Sequence, residues 1–424
     1  MRNDYPLVSG SNYFYMAEIS DILDHQQRPI RSIFVSSYIP RKCGIATFTK
    51  DLTSSLNDLN PESTAEIIAV DHDDSDLYYP WEVKYKVHRD NLDSYFQAAE
   101  YVNQSSADVV CLQHEFGLFG GDAGEYIFSF LRNINKPVIT TFHTVLAKPL
   151  PANKIAVQRI AGISRQIVVT IPEAKERLEK QYNVDKNKIV IINHGVPDQA
   201  KANKINKKKF RWQNKKILLM TGLINLNKGI EYVIKAMPEI LKEIPDANLV
   251  IVGQTHPDII KSEGEKYRKS LILLAHSLKV EKNLKFINQY ISLSRLLSYY
   301  EACDIYLTPH QDKEQISSGT LAYALGMGKA CISTPYPYAK HMLSNQRGIL
   351  VDFANSKQIA KSAVTILRNP ELEEKLCLNA YMIGRRMRWP RVAERYLNLF
   401  RFNTRTPIIS NEKNRITTST VSNR

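Results

Sequence analysis

Small polar residues and glycine gather in DKEQISSGTLAYALGMGKA, residues 312–330, behind a β-branched run and at the mouth of a helical pattern. At such a helix start the first backbone N–H groups have no partner within the helix, and with the helix dipole they attract an anion, a phosphate above all. Ser318, Gly319 and Thr320 would offer those amides, with Gln315 before them and Tyr323 after. TGLINLNKGIEYV, residues 221–233, is a second such place: Gly222 closes a strand pattern, and Lys228 and Gly229 open the next helix, where a lysine can neutralise a phosphate. YIPRKCGIATFTKDL, residues 38–52, puts Gly44 where the first strand pattern meets the first helix, so that backbone amides face an anion there too. The spacing is not GxGxxG, so a dinucleotide fingerprint is absent.

Histidine is placed just as selectively. Of ten histidines, His72, His114, His143, His194, His256 and His310 fall at the ends of strand patterns, where open α/β sheets bind their ligands. A neutral imidazole offers one donor and one acceptor, which suits a hydroxyl-rich ligand. One such histidine is ordinarily structural; six together point to a site. TTFHTVLAK sets His143 directly after a strand. LQHEFGLFGGDAGEY sets His114 and Glu115 before a glycine loop, in which Gly117, Gly120, Gly121 and Gly124 let the backbone approach a ligand closely. The aspartates of DHDDSD, residues 71–76, read as solvated loop carboxylates rather than a metal site. GxxxxGK[ST], GxSxG and HExxH are all missing.

These residues need a scaffold that brings strand ends together, and the pattern supplies one. Short runs such as SIFVSSY, EIIAV, DVVCLQ, PVITTF and KIVII alternate with amphipathic stretches such as GIATFTKDLTSSLNDL. That alternation predicts βαβ units and a parallel, doubly wound sheet. It stops near residue 200 and restarts at KILLMTG. The expected division is an irregular extension over 1–30, a Rossmann-like domain over 31–200, a basic linker over 201–214 acting as a hinge, and a second Rossmann-like domain over 215–384. A crossover helix over 385–402 and a disordered tail over 403–424 follow. A cleft between the domains is the expected ligand site.

The bulk numbers agree with a soluble globular chain: 424 residues, 43% hydrophobic and 24% charged. No apolar run is long enough to span a membrane, and the first residues lack a signal-peptide layout, so the expected location is cytoplasmic. Five dispersed cysteines with no CxxC spacing fit reduced thiols. The formal charge is +14, but residues 201–216 carry eight Lys/Arg and no acid, and residues 401–424 five Lys/Arg and one acid. The body is therefore close to neutral. Such basic segments are either solvated or drawn to anionic lipid at the inner membrane face. No nucleic-acid partner is expected, because neither a zinc finger nor a basic heptad helix is present.

Taken together, PRKCGIATFTKDL, LQHEFGLFGG, TTFHTV, NHGVP, TGLINLNKGIE, VGQTHPD, SSGTLAYALGMGKACISTP and RGILV resemble, in order and spacing, the family-4 retaining glycosyltransferases of the GT-B fold, over about residues 31–402. The likeness is strongest to the mannosyltransferase-like branch. It implies an α/β, GT-B architecture: two Rossmann-like doubly wound domains facing each other across a cleft, with a C-terminal helix crossing back to the first. It also implies hexosyl transfer, mannosyl foremost, from a nucleotide diphosphate sugar such as GDP-mannose to a hydroxyl of a glycan or lipid-linked acceptor, with retention at the anomeric carbon. Carried over by position, His143 lies beside the transferring sugar and Lys228 pairs with the donor diphosphate. Gly44, Gly222, Gln315, Ser318, Gly319, Thr320 and Tyr323 line the donor site, while Arg41, His114, Glu115, Gly120 and Gly121 meet the acceptor or sugar. No cofactor and no tight metal are implied, since the lysine and the helix dipole carry the charge. Two departures stand out: Leu223 replaces the family's arginine, and Gln315 and Tyr323 replace its glutamate pair. They keep two alternatives open, a sugar phosphorylase or nucleotide-sugar epimerase of the same fold, and a catalytically silent glycan- or membrane-binding protein.

Overall fold

In a computed structural model the structure describes residues 28–71, 77–201 and 207–405. The first sheet has seven parallel strands: β1 (Ser32–Ser36), β2 (Glu66–Asp71), β3 (Val83–His88), β4 (Val109–His114), β5 (Val138–Phe142), β6 (Gln166–Val169) and β7 (Ile189–Ile191). Their order is β3-β2-β1-β4-β5-β6-β7. The second has β8 (Lys216–Thr221), β9 (Ala247–Val252), β10 (Leu284–Ile287), β11 (Ile305–Thr308), β12 (Ala330–Ser333) and β13 (Ile349–Leu350), ordered β10-β9-β8-β11-β12-β13. The second order repeats that of the first up to β6, with no counterpart of β7 among the described residues. Every central strand is an apolar run because helices cover both faces of each sheet. Strand order reverses beside β1 and β8, opening a crevice past the ends of β1 and β4 and another past β8 and β11.

The helix Trp389–Arg405 follows the second sheet in sequence but packs on the first. Val392, Ala393, Tyr396, Leu397 and Phe400 share a core with Phe34, Phe48 and Leu52, and Tyr396 OH lies 2.9 Å from Thr141 Oγ1. The crossing helix is thus present, with different bounds from those expected. Residues 385 and 386 end the preceding helix Pro370–Arg386. The break at Met387–Arg388 is where the backbone leaves the helix to bond with Val196, through Val196 N–H to Met387 O and Trp389 N–H to Val196 O.

The described part of the basic linker is less solvated than its composition predicts. Lys207 Nζ pairs with the buried Asp304 at 2.7 Å. Phe210 stacks on Tyr299 with ring centroids 4.5 Å apart, and Trp212 is buried beside them. Residues 1–27, 72–76 and 202–206 and the tail from 406 lie outside the described residues, and with them His72 and most of the aspartate cluster. No helix among the described residues is long and apolar enough to cross a membrane.

Candidate active site

The two crevices face each other and merge into one cleft of about 900 Å³. Its second-domain wall holds Gly222, Lys228, Gln315, Ser318, Gly319, Thr320 and Tyr323. Helix Gly319–Gly326 begins at this wall, with Ser318 as N-cap; its Oγ accepts from Leu321 N–H at 3.4 Å. Among the described residues the amides of Gly319 and Thr320 have no partner. They are the open N–H groups of a helix start.

Lys228 approaches the same place. Its Nζ would lie 3.7 Å from a Cβ built on Gly222, whose φ of +115° favours glycine. No carboxylate among the described residues pairs with this lysine. Its single hydrogen-bond partner is His310 Nε2, at 3.5 Å. Burial pulls its pKa down to about 8. His310 Nδ1–H in turn donates to Gln315 Oε1 at 3.0 Å, and Gln315 Nε2 donates to Ser317 O at 2.8 Å. Burial, and then the Lys228 charge, hold the His310 pKa well below its ordinary value, so the imidazole is neutral and accepts from the lysine. Gln315 therefore spends both ends of its amide inside the wall. The uncharged amide suits a neutral histidine beside a cation.

The first-domain wall is made of side chains from separate elements: Gly44, Phe48 and Asp51 from helix Gly44–Leu59, then Glu115, His143, Thr144 and His194 from strand ends. His143 is buried, its ring edge-on to Phe48 with centroids 4.8 Å apart, and its Nε2–H donates to Gln113 Oε1 at 2.9 Å. Burial, with His194 and His114 nearby, lowers its pKa to about 3. It is a hydrogen-bonding group at neutral pH, not an acid. Glu115 accepts from Thr144 Oγ1 at 2.8 Å and from Phe116 N–H at 2.9 Å. Burial, and then the Asp312 carboxylate, raise its pKa to about 7. No group of three His, Cys, Asp or Glu that could hold a metal ion occurs among the described residues.

Four of the anticipated site residues do not line this cleft. Arg41 Nη1 reaches Val70 O, at the end of β2. His114 is fully buried among Phe116, Phe119 and Phe142, and its pKa falls to about 3. Gly120 and Gly121 serve the packing of their own domain. A Cβ on Gly120 would meet Arg89 O at 2.1 Å, and one on Gly121 would meet the Tyr126 ring at 2.7 Å. The glycine loop is therefore drawn against the first domain rather than offered to a ligand.

Conversely, the cleft contains residues that carried no assignment: Asp51, His194, Asp312 and Tyr290 line it, and His310 stands behind Lys228. The two histidines had a signal, a position at a strand end. Asp51 lies mid-helix among other polar residues and had none.

The sequence pattern described as Glycosyltransferase Family 4 matches residues 44–200, and that described as Glycosyl transferases group 1 matches residues 202–382. The chain belongs to the group 1 and family 4 glycosyltransferases. Among its relatives, the alpha-monoglucosyldiacylglycerol synthase of Streptococcus pneumoniae is 24% identical over 394 residues, covering 86% of this chain and 85% of that protein. The phosphatidyl-myo-inositol mannosyltransferase of Mycobacterium tuberculosis is 23% identical over 269 residues, covering 62% and 67%. The structure of sucrose-phosphate synthase from Thermosynechococcus elongatus matches with a TM-score of 0.72 at 15% identity, covering 88% of this chain and 98% of the other. That likeness concerns the fold, which is GT-B. This glycosyltransferase is an enzyme of the nucleotide-sugar-dependent class.

Proposed function

We propose that this glycosyltransferase moves a hexosyl group, mannosyl foremost, from a nucleotide diphosphate sugar to a hydroxyl of a glycan or lipid-linked acceptor, with retention at the anomeric carbon. The observation that carries the reading is Lys228, which has no carboxylate partner among the described residues and bonds only a neutral His310 there, beside the open amides of Gly319 and Thr320. A buried cation without a counter-ion is costly, and a diphosphate would satisfy both groups at once. Gly222 leaves room for it, and Tyr323 and Gln315 complete the donor wall. His143 and Glu115, across the cleft, face the sugar and the acceptor. Approach of domains 31–200 and 215–384 across the cleft would exclude water from the reacting groups.

Transfer proceeds on one face. The acceptor oxygen forms a bond to the anomeric carbon on the side from which the diphosphate departs, and a diphosphate oxygen takes the acceptor's proton. Lys228 and the helix-start amides stabilise charge on the leaving diphosphate. The neutral His143 orients the sugar by hydrogen bonding. Lipid-linked acceptors are favoured because both relatives above are named for lipid substrates. The exposed Lys208 and Lys209 of the linker would lie toward anionic lipid.

A thermal-shift and donor-hydrolysis panel tests this reading: GDP-mannose, GDP-glucose, UDP-glucose, UDP-N-acetylglucosamine and inorganic phosphate, each with and without chelator. Stabilisation by one nucleotide sugar, with slow chelator-resistant release of its nucleotide, is expected. A response to phosphate alone would overturn it. The anomeric signal of the product, read by NMR, checks retention. A glucosyl donor is the second reading, favoured by the glucosyl-named relative that spans 86% of the chain.

A further inference from the structure

We infer that Asp51 is a positioning residue of the donor site, although it stands on the other domain. The inference rests on the reading above, that the donor diphosphate binds at Gly319 and Thr320. Tyr323 follows Gly319 by one helical turn, so the two share a face of helix Gly319–Gly326. On that face the Tyr323 hydroxyl donates to Asp51 Oδ2 at 2.5 Å, across the cleft. One turn before Asp51 on its own helix, Thr47 Oγ1 meets Tyr290 OH at 3.1 Å, a second bond between the domains. His194 Nε2 lies 3.0 Å from where a Cβ on Gly319 would stand, and its ring is 6.2 Å from that of Tyr323. The helix start with the open amides is thus held to the first domain by contacts on the very face that presents them.

The chemistry of Asp51 makes it more than filler. Its neighbour Lys50 pairs with Glu82 at 2.9 Å. Among the described residues no lysine or arginine forms an ion pair with Asp51. Burial raises its pKa, while the Tyr323 bond first, then the Lys50 charge and the Trp389 indole, favour its charged form. A carboxylate with no direct ion pair among the described residues, accepting a short hydrogen bond from the Tyr323 phenol, fixes the direction of that phenol. Asp51 thereby sets Tyr323, and Tyr323 sets the turn that carries the Gly319 and Thr320 amides. A donor entering the closed cleft then meets amides and lysine already aligned, which lowers the ordering cost of binding.

The test uses the full chain with Asp51→Asn, Tyr323→Phe and the double variant. Calorimetric titration with UDP-glucose and GDP-mannose should show each single variant weakened by about tenfold, the size of one hydrogen bond to a charged group. The double variant should be no weaker than about the worse single, because both act on one bond, Asp51→Asn by removing the acceptor's charge and Tyr323→Phe by removing the donor. In donor hydrolysis KM should rise by a larger factor than kcat falls. Independently of any ligand, amide hydrogen exchange over residues 319–326 should quicken in both singles. Wild-type affinity in Asp51→Asn, or a double-variant effect equal to the product of the singles, would overturn the inference and leave the proposed function standing. If the wild type binds neither nucleotide sugar, the proposed function falls for those donors. The exchange measurement then decides: unchanged protection of 319–326 overturns the positioning role, and faster exchange upholds it. Should Asp51→Asn fail to fold, Tyr323→Phe tests the same bond from the other domain by removing one hydroxyl.

Discussion

The second-domain wall of the cleft offers backbone amides and one cation, whereas the first-domain wall offers buried side chains gathered from one helix and three strand ends. The amides of Gly319 and Thr320 belong to a single turn, and Lys228 arrives from a single loop. Local geometry aims those groups, and the Asp51–Tyr323 bond steadies the turn from across the cleft. On the opposite wall His143, Glu115 and His194 follow β5, β4 and β7; His143 and Glu115 are oriented by Gln113 and Thr144 from neighbouring strands, and His194 Nδ1–H by the carbonyl of Gly195. That wall depends on the packing of its whole domain. An anion site is built most cheaply from a helix start, while a hydroxyl-rich ligand needs several converging hydrogen-bonding side chains.

The comparison can be broken most sharply at Lys228. Lys228→Ala should weaken nucleotide-sugar binding by about 100-fold, the upper range for a charged hydrogen-bonding partner. Calorimetry reads this directly, and an unchanged Kd would move the anion site elsewhere. The pH dependence of the same constant is the next largest effect. The pKa of Lys228 is lowered to about 8 in the unliganded cleft, so the protonated form prevails below pH 8 and is lost as pH rises through it. Donor affinity should accordingly fall by about tenfold toward pH 9 to 9.5. Lys228→Arg, which keeps its charge, should abolish that fall even if its affinity is lower throughout.

Apart from Asp51, the polar side chains of the first-domain wall should respond in turnover or acceptor KM rather than in donor affinity. His143→Ala should lower kcat by about tenfold, with a smaller change in donor Kd, because the group orients the sugar and does not hold the diphosphate. Equal losses in both would place His143 with the donor wall instead. Glu115→Gln should give the smallest effect, a change of about threefold in acceptor KM. Its diagnostic is the pH profile. The Glu115 pKa is raised to about 7, so the carboxylate charges as pH rises through neutrality, and the variant should lose the inflection there.

Leu223 and Gln315 sharpen the same contrast. With leucine where the resemblance implies arginine, Lys228 is the lysine or arginine that lines the donor wall among the described residues. Gln315, where the resemblance implies glutamate, bonds a neutral His310 rather than presenting a negative charge. Leu223 and Gln315 both line the cleft, so the wall lacks one cation and one anion together.

Much of this protein was legible in its sequence. Alternating apolar runs and amphipathic stretches predict two parallel sheets because strands covered on both faces must be apolar throughout. Glycines and small polar residues at a helix start predict an anion site because backbone amides need no partner to be correctly aimed. For that reason Gly222, Lys228, Ser318, Gly319 and Thr320 all lie on the cleft wall. Tertiary structure alone decided what depends on distant neighbours. It buried His114 among three phenylalanine rings and turned Gly120 and Gly121 into packing residues. It ended one helix at Arg386 so that the backbone could bond to Val196. It also brought Asp51 to Tyr323, 272 residues away. A helix start carries its own direction in a few consecutive residues. The surroundings of a side chain are set by whichever elements the fold lays against it, and no local spacing encodes them.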